Sequence, residues 1–198
     1  MRTASASAAI VIGASAGAIQ ALLRILPALP GDFALPIIVV VHVPPGRRSE
    51  LAALFAVKCQ VAVREAEDKE PITAGTIYFA PPDYHLLVER TEGSSHTLSL
   101  STDAPVFFSR PSIDVLFESA AEAYGSLLMA LILTGANEDG ARGLKAVAEA
   151  GGQVYVQDPQ SAYARAMPDA ALAACGRAQV LSLSQIADCL LEAGRKAA

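Results

Sequence analysis

Ala9-Ile10-Val11-Ile12-Gly13-Ala14-Ser15-Ala16-Gly17 is the stretch that decides the fold of this chain. Its first four residues are apolar and mostly β-branched, which is typical of a strand buried on both faces of a parallel sheet. The small residues that follow are typical of a tight turn, and a helical pattern then runs from Ile19 to Leu29. The stretch therefore predicts a strand, a turn and a helix, which together form the repeating unit of an α/β fold.

The same alternation continues along the chain. Apolar runs that predict further strands are Ile37 to Val41, Leu127 to Leu133, Val154 to Val156 and Gln179 to Leu181. Patterns that predict helices are Ser49 to Val57, Ser112 to Tyr124, Glu138 to Ala150 and Gln185 to Leu191. We therefore expect a doubly wound α/β fold with a mostly parallel sheet and right-handed crossovers.

The middle of the chain has a different pattern. Its short runs alternate in polarity and are separated by proline and glycine; they are Val61 to Ala66, Thr76 to Ala80, Tyr84 to Glu89 and Thr97 to Leu100. This pattern predicts a small antiparallel edge made of hairpins. No linker interrupts the chain, so we expect one domain over residues 8–198, preceded by a flexible tail over residues 1–7.

The composition excludes several classes of protein. Hydrophobic residues make up 53% and charged residues 18% of the 198 residues, which is unlike a disordered chain. The formal net charge is −5 and there is no basic block, so we expect no nucleic-acid partner. The three cysteines form no CxxC pair, which favours reduced thiols in a cytoplasmic protein over disulfides or zinc; they are Cys59, Cys175 and Cys189.

One uncharged stretch, Thr3 to Leu23, is long enough to span a bilayer. It is weakly apolar, because alanine, serine and glycine supply most of it, and Arg2 is the only positive residue before it. We therefore expect neither membrane insertion nor export.

The turn Gly13-Ala14-Ser15-Ala16-Gly17 has the form G-x-S-x-G. A sharp turn of this kind exposes the Ser15 hydroxyl at the carboxyl edge of the sheet and directs the Ala16 and Gly17 N–H groups at the same space. That is the geometry of a nucleophile beside an oxyanion site. Two alternatives stay open: Ser15 only caps the helix, or the turn binds a dinucleotide, although the chain lacks the G-x-G-x-x-G pattern.

A histidine follows the second apolar strand. His42 stands directly after Ile37 to Val41, at the edge where open α/β sheets bind ligands. Nothing nearby in the sequence explains it as a cap or a turn residue, and the alternative is a buried, hydrogen-bonded histidine. The other two histidines are expected to be structural or exposed; they are His85 and His96.

An aspartate follows another apolar strand. If Asn137 caps the next helix, Asp139 lies in its first turn, where the helix dipole favours an ionised carboxylate; serving the helix alone is the alternative role. If the three strands are neighbours, Ser15, His42 and Asp139 meet at one edge. Ser15 would then attack an acyl carbon, His42 would take its proton, and Asp139 would orient the imidazole.

At this point the chain resembles a known family, the catalytic domain of the CheB-type chemotaxis protein-glutamate methylesterase, in a form without a receiver domain. The resemblance runs from about Ala9 to Leu191. It is carried by Val11-Ile12-Gly13-Ala14-Ser15-Ala16-Gly17, His42-Val43-Pro44-Pro45-Gly46, Glu65-Ala66-Glu67-Asp68, Tyr78-Phe79-Ala80-Pro81-Pro82, Arg110-Pro111-Ser112-Ile113-Asp114-Val115-Leu116-Phe117, Leu133-Thr134-Gly135 with Asp139-Gly140, and Met167-Pro168. In that family, the residues at the positions of Ser15, His42 and Asp139 form the catalytic triad.

The resemblance implies an activity and its partners. It implies a serine hydrolase that removes methyl groups from glutamyl methyl esters on chemoreceptor helices, releases methanol, and also deamidates receptor glutamines. The Ala16 N–H and one from the Ala136 loop would hold the oxyanion, and no metal or organic cofactor is needed. The implied partner is a methyl-accepting chemoreceptor or similar sensory protein. Because no receiver domain precedes the catalytic residues, control by that domain is either absent or comes from a separate regulatory protein.

Two other functions remain open at this stage. The same triad would serve an esterase or amidase that acts on a sensory protein outside chemotaxis. A relative that acts only as a regulatory module is the third reading, and the presence of all three triad residues argues against it.

Overall fold

Strands and helices alternate in the computed structural model, which describes residues 8–43, 49–91 and 95–197. The strands are β1 (Ala9–Ala14), β2 (Ile37–Val41), β3 (Ala62–Glu65), β4 (Thr76–Phe79), β5 (His85–Arg90), β6 (His96–Ser101), β7 (Leu128–Ile132), β8 (Gln153–Gln157) and β9 (Gln179–Leu181). The helices are α1 (Ala18–Ile25), α2 (Leu51–Ala56), α3 (Ile113–Tyr124), α4 (Ala141–Glu149), α5 (Ala166–Ala174) and α6 (Leu183–Ala197). The tail expected over residues 1–7 lies outside the described residues.

A seven-stranded parallel sheet forms the centre of the molecule, in the order β3-β4-β2-β1-β7-β8-β9. The strands β1, β2 and β7 are buried along their whole length, as their continuous apolar runs predict. The strand order reverses direction at β1, which lies between β2 and β7. The doubly wound α/β prediction is therefore confirmed, and the reversal marks the edge where such sheets bind ligands.

Alternate residues of β1 point into two hydrophobic cores. Ile10 and Ile12 pack in the core formed with α1, α2 and α6, whereas Val11 packs in the core formed with α3, α4 and α5. This two-sided burial follows from the period of two along a strand. Because both faces of the sheet are covered, the strand ends and their loops are left to carry polar chemistry.

The prediction for the middle of the chain is only partly confirmed. The runs Val61 to Ala66 and Thr76 to Ala80 become β3 and β4, which pair in parallel within the main sheet rather than as antiparallel hairpins. Only β5 and β6 form the antiparallel pair, as a separate two-stranded sheet. The alternating polarity of the β4 sequence led to the antiparallel prediction. In the structure Tyr78 is nevertheless fully buried, because its hydroxyl is hydrogen-bonded to Thr73.

The observed helices differ from the predicted ones in their bounds and in number. The helix α4 begins at Ala141 rather than at Glu138, and α6 extends to Ala197. The helix α5 was not predicted, although Pro168 lies in its first turn, where proline is tolerated. Within the described ranges, no helix is both long and apolar enough to cross a membrane.

Candidate active site

The three expected polar residues follow three adjacent strands. Ser15 comes directly after β1, His42 directly after β2, and Asp139 lies in the loop after β7. The strand ends are joined by backbone hydrogen bonds, since the His42 N–H donates to the Ala14 carbonyl at 3.1 Å and the Ser15 N–H donates to the Thr134 carbonyl at 2.9 Å. Ser15 and His42 thus occupy neighbouring positions, because adjacent strands lie about 5 Å apart.

His42 and Asp139 form a direct pair. The His42 Nε2 lies 2.8 Å from Asp139 Oδ2, with the His42 side chain 11% exposed and the Asp139 side chain fully buried. An ionised carboxylate can only accept, so Nε2 carries the hydrogen and Nδ1 of the neutral ring is the free acceptor. The nitrogen left to accept a proton is therefore Nδ1, whereas in chymotrypsin-like proteases it is Nε2.

Asp139 does not lie in the first turn of α4, and this corrects the sequence prediction. The N-cap of α4 is Gly140, and Asn137 accepts from the Asp139 N–H at 3.4 Å instead of capping the helix. The Asp139 carboxylate points at the N-terminus of a different helix, α3. Helix α4 starts later because Gly140, with φ of 96°, turns the chain before it.

Four donors surround the Asp139 carboxylate. Oδ1 accepts from Ser112 Oγ at 2.8 Å and from the Asp114 N–H at 3.0 Å. Oδ2 accepts from His42 and from the Ile113 N–H at 2.7 Å. Burial acts to raise the pKa of Asp139, but the hydrogen bonds from His42, Ile113 and Asp114 outweigh it and lower the pKa below its ordinary value. The carboxylate is therefore held ionised beside the imidazole.

Asp114 makes the reciprocal contact with α4. Its Oδ1 accepts from the Gly140 N–H at 3.0 Å and from the Gly143 N–H at 2.7 Å. Asp139, which precedes α4, thus accepts from N–H groups at the N-terminus of α3, and Asp114, which lies in α3, accepts from N–H groups at the N-terminus of α4. These hydrogen bonds fix α3 against α4. Burial raises the pKa of Asp114, so the two neighbouring carboxyls are shifted in opposite directions.

His85 holds Ser112 in place beside the Asp139 carboxylate. Its Nδ1 accepts from the Ser112 N–H at 3.1 Å, and its Nε2 donates to the Ala104 carbonyl at 3.1 Å. Ser112 is therefore held by His85 through its backbone and by Asp139 through its hydroxyl. His85 is buried and structural, which is one of the two roles expected for it.

The turn that carries Ser15 needs its glycines. A Cβ on Gly13 would collide with Ile113, and Gly17 has φ of 83° with its missing Cβ only 2.6 Å from Tyr163 Cβ. The Ser15 carbonyl accepts from the Ala18 N–H at 2.9 Å, so the helix α1 starts immediately after the turn. Ser15 is half-buried and is presented at the edge of the sheet where His42 lies.

The chain is similar to known proteins over most of its length. A family model described as CheB methylesterase matches residues 10–190, which include Ser15, His42 and Asp139. The chain belongs to the CheB methylesterase family. The crystal structure of the Thermotoga maritima CheB methylesterase catalytic domain is similar to this chain, with a TM-score of 0.90 and 35% sequence identity over 95% of this chain and 99% of that one.

Two curated relatives extend the comparison. A Leptospira interrogans protein, provisionally named protein-glutamate methylesterase/protein-glutamine glutaminase, is 48% identical over 180 residues, which are 91% of each chain. A Rhodospirillum rubrum protein named protein-glutamate methylesterase/protein-glutamine glutaminase 1 is 40% identical over 193 residues. That match covers 94% of this chain and 49% of the Rhodospirillum protein, so this chain spans about half the length of that relative.

Sequence reasoning missed the residues that hold the Ser15 turn in this CheB-family chain. Thr134 Oγ1 donates to the Ala16 carbonyl at 2.8 Å and accepts from the Ala164 N–H at 2.9 Å. The Thr134 N–H donates to Gln157 Oε1 at 2.9 Å. Thr134 and Gln157 are both buried at strand ends, so a polar residue ending an apolar run was the signal that could have found them.

Ser109 places a hydroxyl beside the His42 ring. Its Oγ lies 3.4 Å from His42 Nδ1, and both residues line a small pocket of about 180 Å³ together with Phe108 and Arg110. Nothing in the sequence pattern singled out Ser109, because it precedes α3 and follows no strand of the main sheet. The pocket has about the volume of one extended side chain and lies on the Nδ1 side of the His42 ring.

The two residues expected at an oxyanion site lie in the loops beside Ser15. Ala16 is half-buried in the turn after β1, and Ala136 is exposed in the loop after β7. The N–H groups of their neighbours Ser15 and Gly135 already donate to the carbonyls of Thr134 and Ala164. Their oxyanion role stays a prediction. In the described part of the chain, no cluster of histidine, cysteine or acidic residues is arranged to hold a metal ion.

Gly17→Ala tests the requirement for a close turn in this family. We expect the free energy of unfolding to fall by about 1–3 kcal/mol, because the added methyl group is strained at positive φ and meets Tyr163. Urea denaturation followed by circular dichroism measures the change. Gly176→Ala is the matched control, since φ there is not positive and nothing lies within 4 Å of its Cβ position. An equal effect at both glycines would contradict the explanation.

Proposed function

We propose that this chain is a serine hydrolase that removes methyl groups from glutamyl methyl esters of a sensory protein and releases methanol. The observation that carries the proposal is the 2.8 Å His42–Asp139 pair at the strand end beside Ser15. Membership of the CheB methylesterase family and the names of the relatives give the ester class. The proposed substrate is a methyl-accepting chemoreceptor, whose cytoplasmic helices carry the esters.

The proposed reaction has two halves. Ser15 Oγ attacks the ester carbon while His42 Nδ1 takes the hydroxyl proton, and the same proton then passes to the departing methanol. Water attacks the resulting acyl-enzyme, again with His42 as the base, and the product is a glutamate carboxylate and free Ser15. Asp139 accepts from Nε2 throughout and stabilises the imidazolium that forms in each half.

Backbone N–H groups complete the proposed chemistry. We assign the developing oxyanion to the N–H groups of Ala16, in the Ser15 turn, and of Ala136, in the loop after β7. A primary amide has the same carbonyl geometry, so the same residues would deamidate glutamine with ammonia as the leaving group. The proposal requires no metal or organic cofactor.

A product assay tests the proposal. The native protein is incubated with a methylated chemoreceptor fragment, and methanol and ammonia are measured separately. We expect methanol release to depend on enzyme and on receptor methylation, with ammonia released from unmethylated, glutamine-containing fragments. Hydrolysis of a small ester with no methanol release from any receptor fragment would instead favour an esterase outside chemotaxis. The absence of both activities would favour a regulatory relative.

A further inference from the structure

The exposed aromatic side chains lie at one edge of the molecule. The chain has six phenylalanines and five tyrosines, and four of them are exposed: Tyr84, Phe107, Phe108 and Tyr163. All four belong to loops on the carboxyl side of the parallel sheet or to the segment that leads into α3. We call these four residues the aromatic rim. Large apolar groups exposed together on one side commonly mark an interaction surface.

Phe107 and Phe108 are presented by a strained turn. Val106 and Ser109 exchange backbone hydrogen bonds at 3.1 and 2.8 Å, so the two phenylalanines form a two-residue hairpin loop. Both have positive φ, 48° and 60°, where asparagine and glycine are the favoured residues. Phe108 is completely exposed, and Phe107 is 42% exposed. The chain thus holds two bulky rings in an unfavourable conformation with little packing in return, which is typical of functional sites.

The aromatic rim borders the reactive groups. Phe108 lines the same 180 Å³ pocket as His42, and Ser109 at the base of the turn lies 3.4 Å from the His42 ring. Tyr163 lies against Gly17, two residues after Ser15, and both residues line a second, separate pocket. We therefore expect a chain whose side chain reaches both His42 and Ser15 to pass close to Phe108 and Tyr163.

The topology restricts what form that chain can take. Ser15 follows β1, the central strand, which has three strands on either side of it. The sheet edges β3 and β9 are therefore remote, and a substrate at Ser15 cannot pair with an edge strand. A helix that presents one side chain to the pocket and neighbouring apolar side chains to the rim fits without any sheet pairing.

We propose that the aromatic rim binds the apolar side chains that lie one helical turn before and after the esterified glutamate of the substrate helix. This inference rests on the proposed function. The rings lose exposed apolar surface when the helix docks, and they hold the ester tip at Ser15 and His42. The rim therefore contributes to recognition of a protein substrate and contributes little to a small ester, which fills only the pocket.

The test replaces the turn by the residues its conformation favours. Phe107→Asn with Phe108→Gly keeps the hairpin and relieves its strain, so a melting temperature at least as high as that of the native protein shows that the variant folds. We expect the ratio of kcat/KM for a methylated receptor fragment to kcat/KM for N-acetylglutamate γ-methyl ester to fall about 10–100-fold, mainly through KM. Tyr163→Ser should lower the ratio in the same direction.

The control is a substitution of an exposed apolar residue outside the aromatic rim. Val57→Ala removes an apolar side chain that is 78% exposed after α2, outside the aromatic rim, and should leave the ratio unchanged. An unchanged ratio in both rim variants would overturn the inference while methanol release by the native protein upholds the proposed function. An equal loss on both substrates would also overturn it, since the turn would then act on His42. Failure of the native protein to release methanol from the receptor would defeat the proposed function itself.

Discussion

Ser15→Ala is expected to lower kcat for methanol release by about 10⁴–10⁶-fold while the fold stays intact. The substitution removes only the hydroxyl group. The hydrogen bonds of Ser15 that fix the turn are made by its backbone N–H and carbonyl. Alanine keeps both, so the melting temperature should change little. Methanol release under saturating receptor fragment measures the catalytic loss, and thermal denaturation measures the stability.

Ser109 supplies the discriminating control for this prediction. Its hydroxyl lies 3.4 Å from His42 Nδ1, so it is the alternative nucleophile. Ser15 is favoured because it lies in the turn beside the Ala16 N–H, whereas Ser109 lies in a hairpin that offers no helix N-terminus. Near-native activity in Ser15→Ala together with complete loss in Ser109→Ala would transfer the nucleophilic role to Ser109.

The sequence predicts the strand ends well for a physical reason. A strand buried on both faces has a continuous run of apolar residues in the sequence. The strand β2 begins and ends where its run does, at Ile37 and Val41. A polar residue at the end of such a run is then placed at the carboxyl edge without knowledge of the side-chain contacts. This is why the positions of Ser15 and His42 at this edge were predicted from the pattern alone.

Contacts between distant helices could not be predicted in the same way. The position of Asp139 depends on the N-terminus of α3, some 25 residues earlier in the chain, and on where Gly140 ends the loop. Helix signals are local and favoured the nearer helix, so the sequence interpretation placed Asp139 in α4. The roles of Ser112 and Thr134 were missed for the same reason, because each bonds a partner that the fold alone brings close.

The Asp139 carboxylate both orients His42 and stabilises the fold. Both carboxylate oxygens face two donors each, from His42, Ser112 and the start of α3. Asp139→Asn keeps one acceptor oxygen but places an amide N–H₂ group against two donors in a fully buried position. We expect the free energy of unfolding to fall by about 2–5 kcal/mol near pH 7, from unmet buried donors and a lost charge.

The same substitution should lower kcat by about 10³–10⁴-fold. An amide nitrogen beside His42 Nε2 forces the ring into the opposite tautomer, so Nδ1 carries the hydrogen and cannot take the Ser15 proton. Methanol release and urea denaturation measure the two effects in parallel. Asp169→Asn, which removes an exposed carboxylate paired with Arg165, is the matched control and should leave both quantities nearly unchanged.

The pH dependence of the stability loss identifies its cause. Because the pKa of Asp139 is lowered in the folded state, its stabilisation is fully present above the ordinary aspartate pKa of about 3.9 and is lost as the pH falls through the lower, folded value. The difference in unfolding free energy between the native protein and Asp139→Asn should therefore shrink as the pH falls below about pH 4. A difference that stays the same down to acid pH would mean that packing, rather than the ionised carboxylate, stabilises this corner. The triad assignment would then lose its electrostatic basis.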